Sequence, residues 1–301
     1  MIYEKIVNKL NDKVILDGYF KSSDGLETIF FKRLKYKHED TKDDFNLNFI
    51  FIHDLLEYHG RYLDIANRLL QSFKNRSSVS LIDLRGHGLS TGTRHYVEDF
   101  ESFSKDLILF LRYLKIVNED EKNKFIIVGQ GMGALVCLDA YLKSRDQIDG
   151  LIISNPILKS FIPFVDILSK NNRYLKWPYL AIKLPFHLNG FDIVKNIDLA
   201  EKFNSDPLVG HYMTLGLMLE TLDCIKKVKK KSYLIDKPTL MLTSKDSTIS
   251  DYNMSKIFYK SLDKDHVSYS EFDRMKHDIL NCENKKVVFK TIISWLNEKK
   301  F

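Results

Sequence analysis

The residues Phe125-Ile126-Ile127-Val128-Gly129-Gln130-Gly131-Met132-Gly133-Ala134 decide how the rest of the chain is read. An apolar, β-branched run breaks on glycines and passes directly into Leu135 to Leu142, where apolar residues recur with helical spacing. The order is strand, sharp turn, helix. This is the frame of a nucleophile elbow, G-x-S-x-G, in which a serine sits on a strained turn at the carboxyl end of a central strand. Gly129 and Gly133 occupy the flanks, and Gly131 occupies the serine position. The backbone condition for close strand-helix approach is met while the reacting oxygen is missing. The stretch predicts a fold and argues against the usual chemistry of that fold.

Upstream, two β-rich segments, Lys13 to Phe20 and Glu27 to Leu34, are joined through the hairpin-type cluster Ser22-Ser23-Asp24-Gly25. Phe49-Ile50-Phe51-Ile52 is a continuous apolar run, as expected of a strand covered on both faces, and it ends at His53-Asp54. A helix follows with Ile65, Leu69, Leu70 and Phe73 on one face. Strand Val79 to Leu84 runs into the glycine-rich loop Arg85-Gly86-His87-Gly88-Leu89-Ser90, and Phe100, Phe103, Leu107, Leu111 and Leu114 mark the next helix. Downstream of the elbow, Leu151-Ile152-Ile153 closes on Ser154-Asn155-Pro156. Strand and helix alternating in this way predict an α/β fold with right-handed crossovers and a mostly parallel sheet of about eight strands. Ligands in such sheets bind at the carboxyl ends of the strands.

The alternation stops across residues 157–231. Phe161, Phe164, Tyr174, Trp177, Tyr179, Phe186, Phe191, Tyr212 and Met218 lie there without a clean strand pattern. We read 157–231 as a helical cap inserted into a core formed by 1–156 and 232–301. Most of its aromatics suffice for the cap's own packing; a few would line an apolar ligand site. The sheet resumes at Pro238 to Thr243, followed by helix Tyr252 to Leu262, strand Val267 to Phe272, the loop Asp273 to Asp278 and a last helix burying Val288, Ile292, Trp295 and Leu296.

With 301 residues and 44% hydrophobic content the chain can bury one large core. Its net charge of +6, from 46 basic and 40 acidic residues, is too small and dispersed for a nucleic-acid partner. Cys137, Cys224 and Cys282 are far apart and odd in number, which indicates neither a disulfide framework nor a zinc site. No metal and no cofactor are implied. The first residues carry charges that interrupt every apolar run, so a signal peptide is not expected, and no uncharged run approaches the roughly 18 apolar residues of a membrane span. A cytoplasmic setting is the expectation. The run Lys226-Lys227-Val228-Lys229-Lys230-Lys231 solvates a helix end, with contact to anionic lipid headgroups as the alternative.

A hydrolytic triad needs an imidazole to take the nucleophile's proton and a carboxylate to orient that imidazole. Asp246 follows one late strand and His277 the next, in the order nucleophile, acid, histidine. Either alone is more often a turn former or a surface group; their common register with the elbow is what selects them. Asp251, Asp273 and Asp278 are weaker candidates for the acid. The oxyanion hole would use the backbone N–H groups of Met132 and Leu55. Asp54 stands where a glycine is usual, and it either brings a negative charge to that hole or points to solvent. His53 and His87 lie in strand-end loops that shape the site.

On these residues the chain resembles the monoacylglycerol lipase and lysophospholipase branch of the α/β-hydrolases, grouped with serine aminopeptidase-like hydrolases. His53 through Tyr62 is similar to H-G-x-x-E-H-x-G-R-Y, Arg85 through Arg94 to R-G-H-G-x-S-x-G-x-R, and Gly129 to Gly133 to G-H-S-M-G. Ser205-Asp206-Pro207-Leu208 resembles N-D-P-L, and Lys276 through Glu283 resembles H-E-L-L-N-E. The resemblance implies a cap-covered apolar tunnel and hydrolysis of a lipid monoester through an acyl-enzyme, so the implied partner is a small lipid ester or acyl ligand. Gly131 and Gln130 depart from it at the chemistry itself. Three readings follow: a catalytically silent protein that still binds an acyl or lysolipid ligand, an active esterase carrying an inactivating change of serine to glycine, or activation of water by His277 with Asp246.

Overall fold

Alternation with a period of two builds the entrance to the sheet. In β2 (Lys13–Lys21) the residues Val14, Leu16, Gly18 and Phe20 turn inward while their neighbours are half-buried or exposed. Gly25, at φ 76°, closes the turn to β3 (Thr28–Tyr36), which pairs antiparallel with β2. The protein is seen here as a computed structural model describing residues 2–10, 13–36, 47–117, 122–160, 181–184 and 187–301.

The inner strands are β4 (Leu47–Ile52), β5 (Ser77–Ile82), β6 (Lys124–Gln130), β7 (Gly150–Ser154) and β8 (Thr239–Ser244), and all but Lys124 are buried along their length. Such strands read as unbroken apolar runs because helices cover both faces. With β1 (Ile2–Leu10) and β9 (Val267–Phe272) at its edges the sheet runs β1-β2-β3-β5-β4-β6-β7-β8-β9, antiparallel up to the β3 to β5 pairing and parallel from there on. The count is nine rather than about eight. The added strand is β1 (Ile2–Leu10), whose interspersed Glu4, Lys5 and Asn8 fit an edge strand with one partner and a bulge between Ile6 and Asn8.

Helix α1 (Leu63–Phe73) buries Ile65, Ala66, Leu69 and Leu70 on one stripe, each leucine contributing about 1.5–3 kcal/mol by leaving water. Helix α2 (Glu101–Val117) packs on α3 (Gly131–Lys143), and every residue of α3 from Gly131 to Tyr141 is buried. A helix apolar all round belongs inside the molecule, which is where the elbow sends it.

Between β7 and β8 the described chain is helical, with α4 (Gly190–Ile193), α5 (Ile197–Ser205) and α6 (Leu215–Lys230). Thr214 caps α6 by accepting from Leu217 N–H, and α6 packs on α3. Of the aromatics assigned to a cap, Phe161, Phe164, Tyr174, Trp177, Tyr179 and Phe186 lie outside the described residues. Met218 is buried, Tyr212 half-buried and Phe191 exposed. In the basic run Lys226 pairs with Asp223 at 2.8 Å and Lys227 with Glu101 at 3.1 Å. Helices α7 (Tyr252–Lys260), capped by Asp251, and α8 (Lys285–Glu298) complete the chain. No helix among the described residues is long and apolar enough to cross a membrane.

Candidate active site

The carboxyl ends of β4, β6, β7, β8 and β9 deliver Asp54, Gly131, Asn155, Ser247 and His277 to one edge of the sheet. Gly131 begins α3 with φ 54°, the left-handed conformation that an elbow demands and glycine adopts at least cost. The flanking glycines let helix and strand meet. A Cβ on Gly129 would lie 2.5 Å from Gly133 O, and one on Gly133 would run into the carbonyl oxygens of Ile52 and His53.

The space beside Gly131 is filled by Asp54. A Cβ at position 131 would overlap the Asp54 carboxylate. Its Oδ1 accepts from Leu55 N–H at 2.6 Å and from Met132 N–H at 2.7 Å, the two donors expected of an oxyanion hole. Its Oδ2 accepts from His277 Nε2 at 2.7 Å. One side chain thus engages the Leu55 and Met132 N–H groups and the imidazole together. Asp54 is 5% exposed, so the second alternative for it, pointing to solvent, is the one not taken.

Burial opposes the charge on Asp54, yet the His277 imidazole and the Met132 and Leu55 N–H groups hold its carboxyl below the ordinary aspartate range. The loop is braced around it. His53 Nε2 accepts from Leu84 N–H at 2.9 Å, which fixes its proton on Nδ1, and Nδ1–H donates to Asp54 O at 2.7 Å. Asp54 N–H donates to the Tyr62 hydroxyl, and that hydroxyl donates to Glu57. Arg61 joins Glu57 at 3.2 Å and Asp278 at 2.6 Å. Burial pushes the Glu57 carboxyl up to about 8; Arg61 opposes this, and Asp278 and Asp54 add to it.

The structure brings Gly131, Met132, Leu55 and His277 together. It places Asp246 elsewhere: its carboxylate is 43% exposed and pairs with Lys195 at 2.7 Å, while His277 Nδ1 meets Ser247 Oγ at 3.0 Å. Of the other acids considered, Asp251 caps α7, Asp273 pairs with Lys245 and Asp278 holds Arg61. Gln130, at the position before the elbow glycine, donates to His277 O at 2.8 Å, and Asn155 donates to the same oxygen at 2.6 Å. Those two amides position the histidine's backbone. Ser247, Asn155 and Lys195 carry no sequence signal of such roles. Asp54 and Gly131 do, as a large group where a small one is usual and a small one where a larger one is usual.

Chemically this edge holds an imidazole against a carboxylate, with the Leu55 and Met132 N–H groups both satisfied by that carboxylate. It has no alkoxide precursor at residue 131. Among the described residues no group of three or more His, Cys, Asp or Glu is arranged to hold a metal ion.

The family model described as serine aminopeptidase, S33, matches residues 46–284. An uncharacterized abhydrolase domain-containing protein of Dictyostelium discoideum is 24% identical over 82% of this chain, which spans only 26% of that protein's length. The monoglyceride lipase homolog of monkeypox virus is also 24% identical, over 82% of this chain and 88% of its own. A soluble variant of monoglyceride lipase from Saccharomyces cerevisiae, solved in complex with a substrate analog, superposes with a TM-score of 0.78 at 18% identity, covering 93% of this chain and 94% of that one. The fold is that of the α/β-hydrolases, and the chain belongs to the serine aminopeptidase, S33, family.

Proposed function

We propose that this chain is a monoglyceride-lipase-type member of its family that no longer hydrolyses esters and holds an acyl or lysolipid ligand without turning it over. The observation that carries this reading is the Asp54 carboxylate, which occupies the oxyanion donors and His277 Nε2 at once and overlaps the place of a residue 131 side chain. Serine triads use that place for the alkoxide and that hole for the substrate oxygen. The lipid class of the ligand rests on the relatives, named as monoglyceride lipases, one of them solved with a substrate analog.

An engineered or recent change of serine to glycine in an otherwise working enzyme would leave the glycine usual at position 54, and aspartate stands there. Activation of water by His277 with Asp246 is likewise disfavoured, because Asp246 pairs with Lys195 and Nε2 is engaged by Asp54. Contact of the lysine run with anionic lipid is no part of the proposal, since two of its lysines are paired within the molecule. The test is hydrolysis of monoacylglycerol and nitrophenyl esters, alongside lipid extraction from the purified protein. No turnover with a co-purifying monoacyl lipid is expected. Serine-hydrolase-like turnover by the unaltered chain would overturn the reading.

A further inference from the structure

The two edges of the sheet are built differently. β1 carries charges and a bulge, devices that discourage pairing with a further strand, whereas β9 keeps an unbroken register with β8 from Val267 to Phe272. The carbonyl oxygens of His266 and Phe272 accept from Thr239 N–H and Lys245 N–H, on the β8 side. With a period of two, Val267, Tyr269 and Glu271 therefore turn their backbone N–H and C=O groups outward, where no strand among the described residues meets them. The strand's one charge, Glu271, is neutralised within its own chain by Lys245 at 3.6 Å and Lys256 at 3.3 Å.

A groove of about 420 Å³ lies between this edge and α8. Small hydroxyl side chains line it, Ser268 and Ser270 from β9 and Thr291 and Ser294 from α8, with Lys290 and Glu298 beside them. Four-residue spacing puts Lys290, Ser294 and Glu298 in line on one face of α8, and all three are exposed. Among the described residues Glu298 pairs only with its neighbour Lys299, at 3.1 Å, and Lys290 pairs with no acid. This face is complementary to itself. A two-fold axis at Ser294 brings Lys290 of one copy to Glu298 of the other, and does so twice.

We propose that a second copy of this chain docks here, with β9 pairing antiparallel to β9 so that the two sheets become one. An axis at Tyr269 matches Tyr269 with its counterpart and Val267 with Glu271 of the second copy, which satisfies the outward groups through about six backbone hydrogen bonds. Ser268 then faces Ser270 of the second copy, small against small, on the side of the groove. Strand and helix contacts have the same span. Four residues of β9 cover about 13 Å and eight of α8 about 12 Å, so a single axis serves both. An extended peptide from another protein would meet the free edge but would gain nothing from the matched spacing of Lys290 and Glu298. The dimer would form whether or not Asp54 silences ester chemistry.

The test is sedimentation equilibrium of the full chain at concentrations up to about 100 μM, a range that reveals a contact of modest size. A monomer–dimer equilibrium is expected. Lys290→Glu and Glu298→Lys each set like charges across the axis and should weaken dimerisation about tenfold. An equimolar mixture of the two variants, and the double variant, should dimerise as the unaltered chain does, because opposite charges meet again. Both residues are exposed on α8, so the fold is retained. Amide hydrogen exchange reports the strand pairing separately: raising the concentration should slow exchange at Val267, Tyr269 and Glu271 and leave Ser268 and Ser270, already bonded to β8, unchanged. A monomer at every concentration, a dimer indifferent to both charge reversals, or a dimer without that alternating protection would overturn it.

Discussion

The Asp54 carboxylate stands 2.7 Å from Nε2 of His277 and lies where a side chain on residue 131 would project. A serine restored at position 131 alone would meet that carboxylate. Gly131→Ser is therefore expected to remain at background in monoacylglycerol and nitrophenyl ester assays, whereas Asp54→Gly with Gly131→Ser should rise about a hundredfold above it. The estimate follows from a loss of about a millionfold for a missing nucleophile and about ten-thousandfold for a missing acid, the acid still being absent from His277 in the double variant. Activity in Gly131→Ser alone would show that Asp54 does not block the site.

Removing the imidazole leaves a buried carboxylate with only its two N–H partners. His277→Ala should lose about 3–5 kcal/mol in urea denaturation, and Asp54→Asn, which still accepts from Leu55 and Met132, about 1–2 kcal/mol. Because the carboxyl of Asp54 is held below its unfolded value, its contribution is present above about pH 3.9 and is lost as pH falls through the depressed folded value. The gap between the unaltered protein and Asp54→Asn should accordingly close on acidification beneath that point. A gap that widened instead would contradict the assigned pairing.

Glu57 carries the opposite sign. Its folded value, raised to about 8, makes its contribution complete below the unfolded carboxyl range near 4.5 and lost as pH rises through about 8. Glu57→Gln, neutral throughout, should flatten the decline of stability between pH 5 and 8.5 measured by urea denaturation. An unchanged slope in the variant would place the titrating group elsewhere.

Asp246 and Lys195 form an exposed pair, 43% and 39% accessible, so solvent screens them. Asp246→Asn is expected to shift stability by less than about 0.5 kcal/mol and to leave the gain of the double variant unaltered. A collapse of that gain would mean that the carboxylate swings to His277 once Asp54 is gone.

Gly133 admits no side chain. Alanine there would press its methyl group into the carbonyl oxygens of Ile52 and His53, backbone atoms that no rotamer change can move aside. A loss of about 1–3 kcal/mol is expected, read as a lowered urea midpoint with an unchanged slope.

Local physics made much of this legible from the residues alone. Unbroken apolar runs such as Phe49 to Ile52 could only be covered strands, the glycines at 129 and 133 could only serve a tight strand-helix junction, and the helix buried through Val288, Ile292, Trp295 and Leu296 follows from spacing. The edge strand Ile2–Leu10 was hidden because a strand with one partner tolerates charges that erase its apolar pattern. Position in the chain likewise set Gly131 after β6 and His277 after β9, at the carboxyl edge that all the parallel strands share.

What the sequence left open was the direction of short polar side chains. Asp54 could face water or the hole, and the decision fell to two N–H groups and an imidazole supplied by loops 78 and 223 residues away or adjacent to it. Asp246 had the right place in the order and found Lys195, from the chain between β7 and β8, within reach. Backbone course depends on patterns a dozen residues long, which a sequence displays. The partner of a carboxylate depends on tenths of a nanometre between distant segments, which only the folded chain fixes.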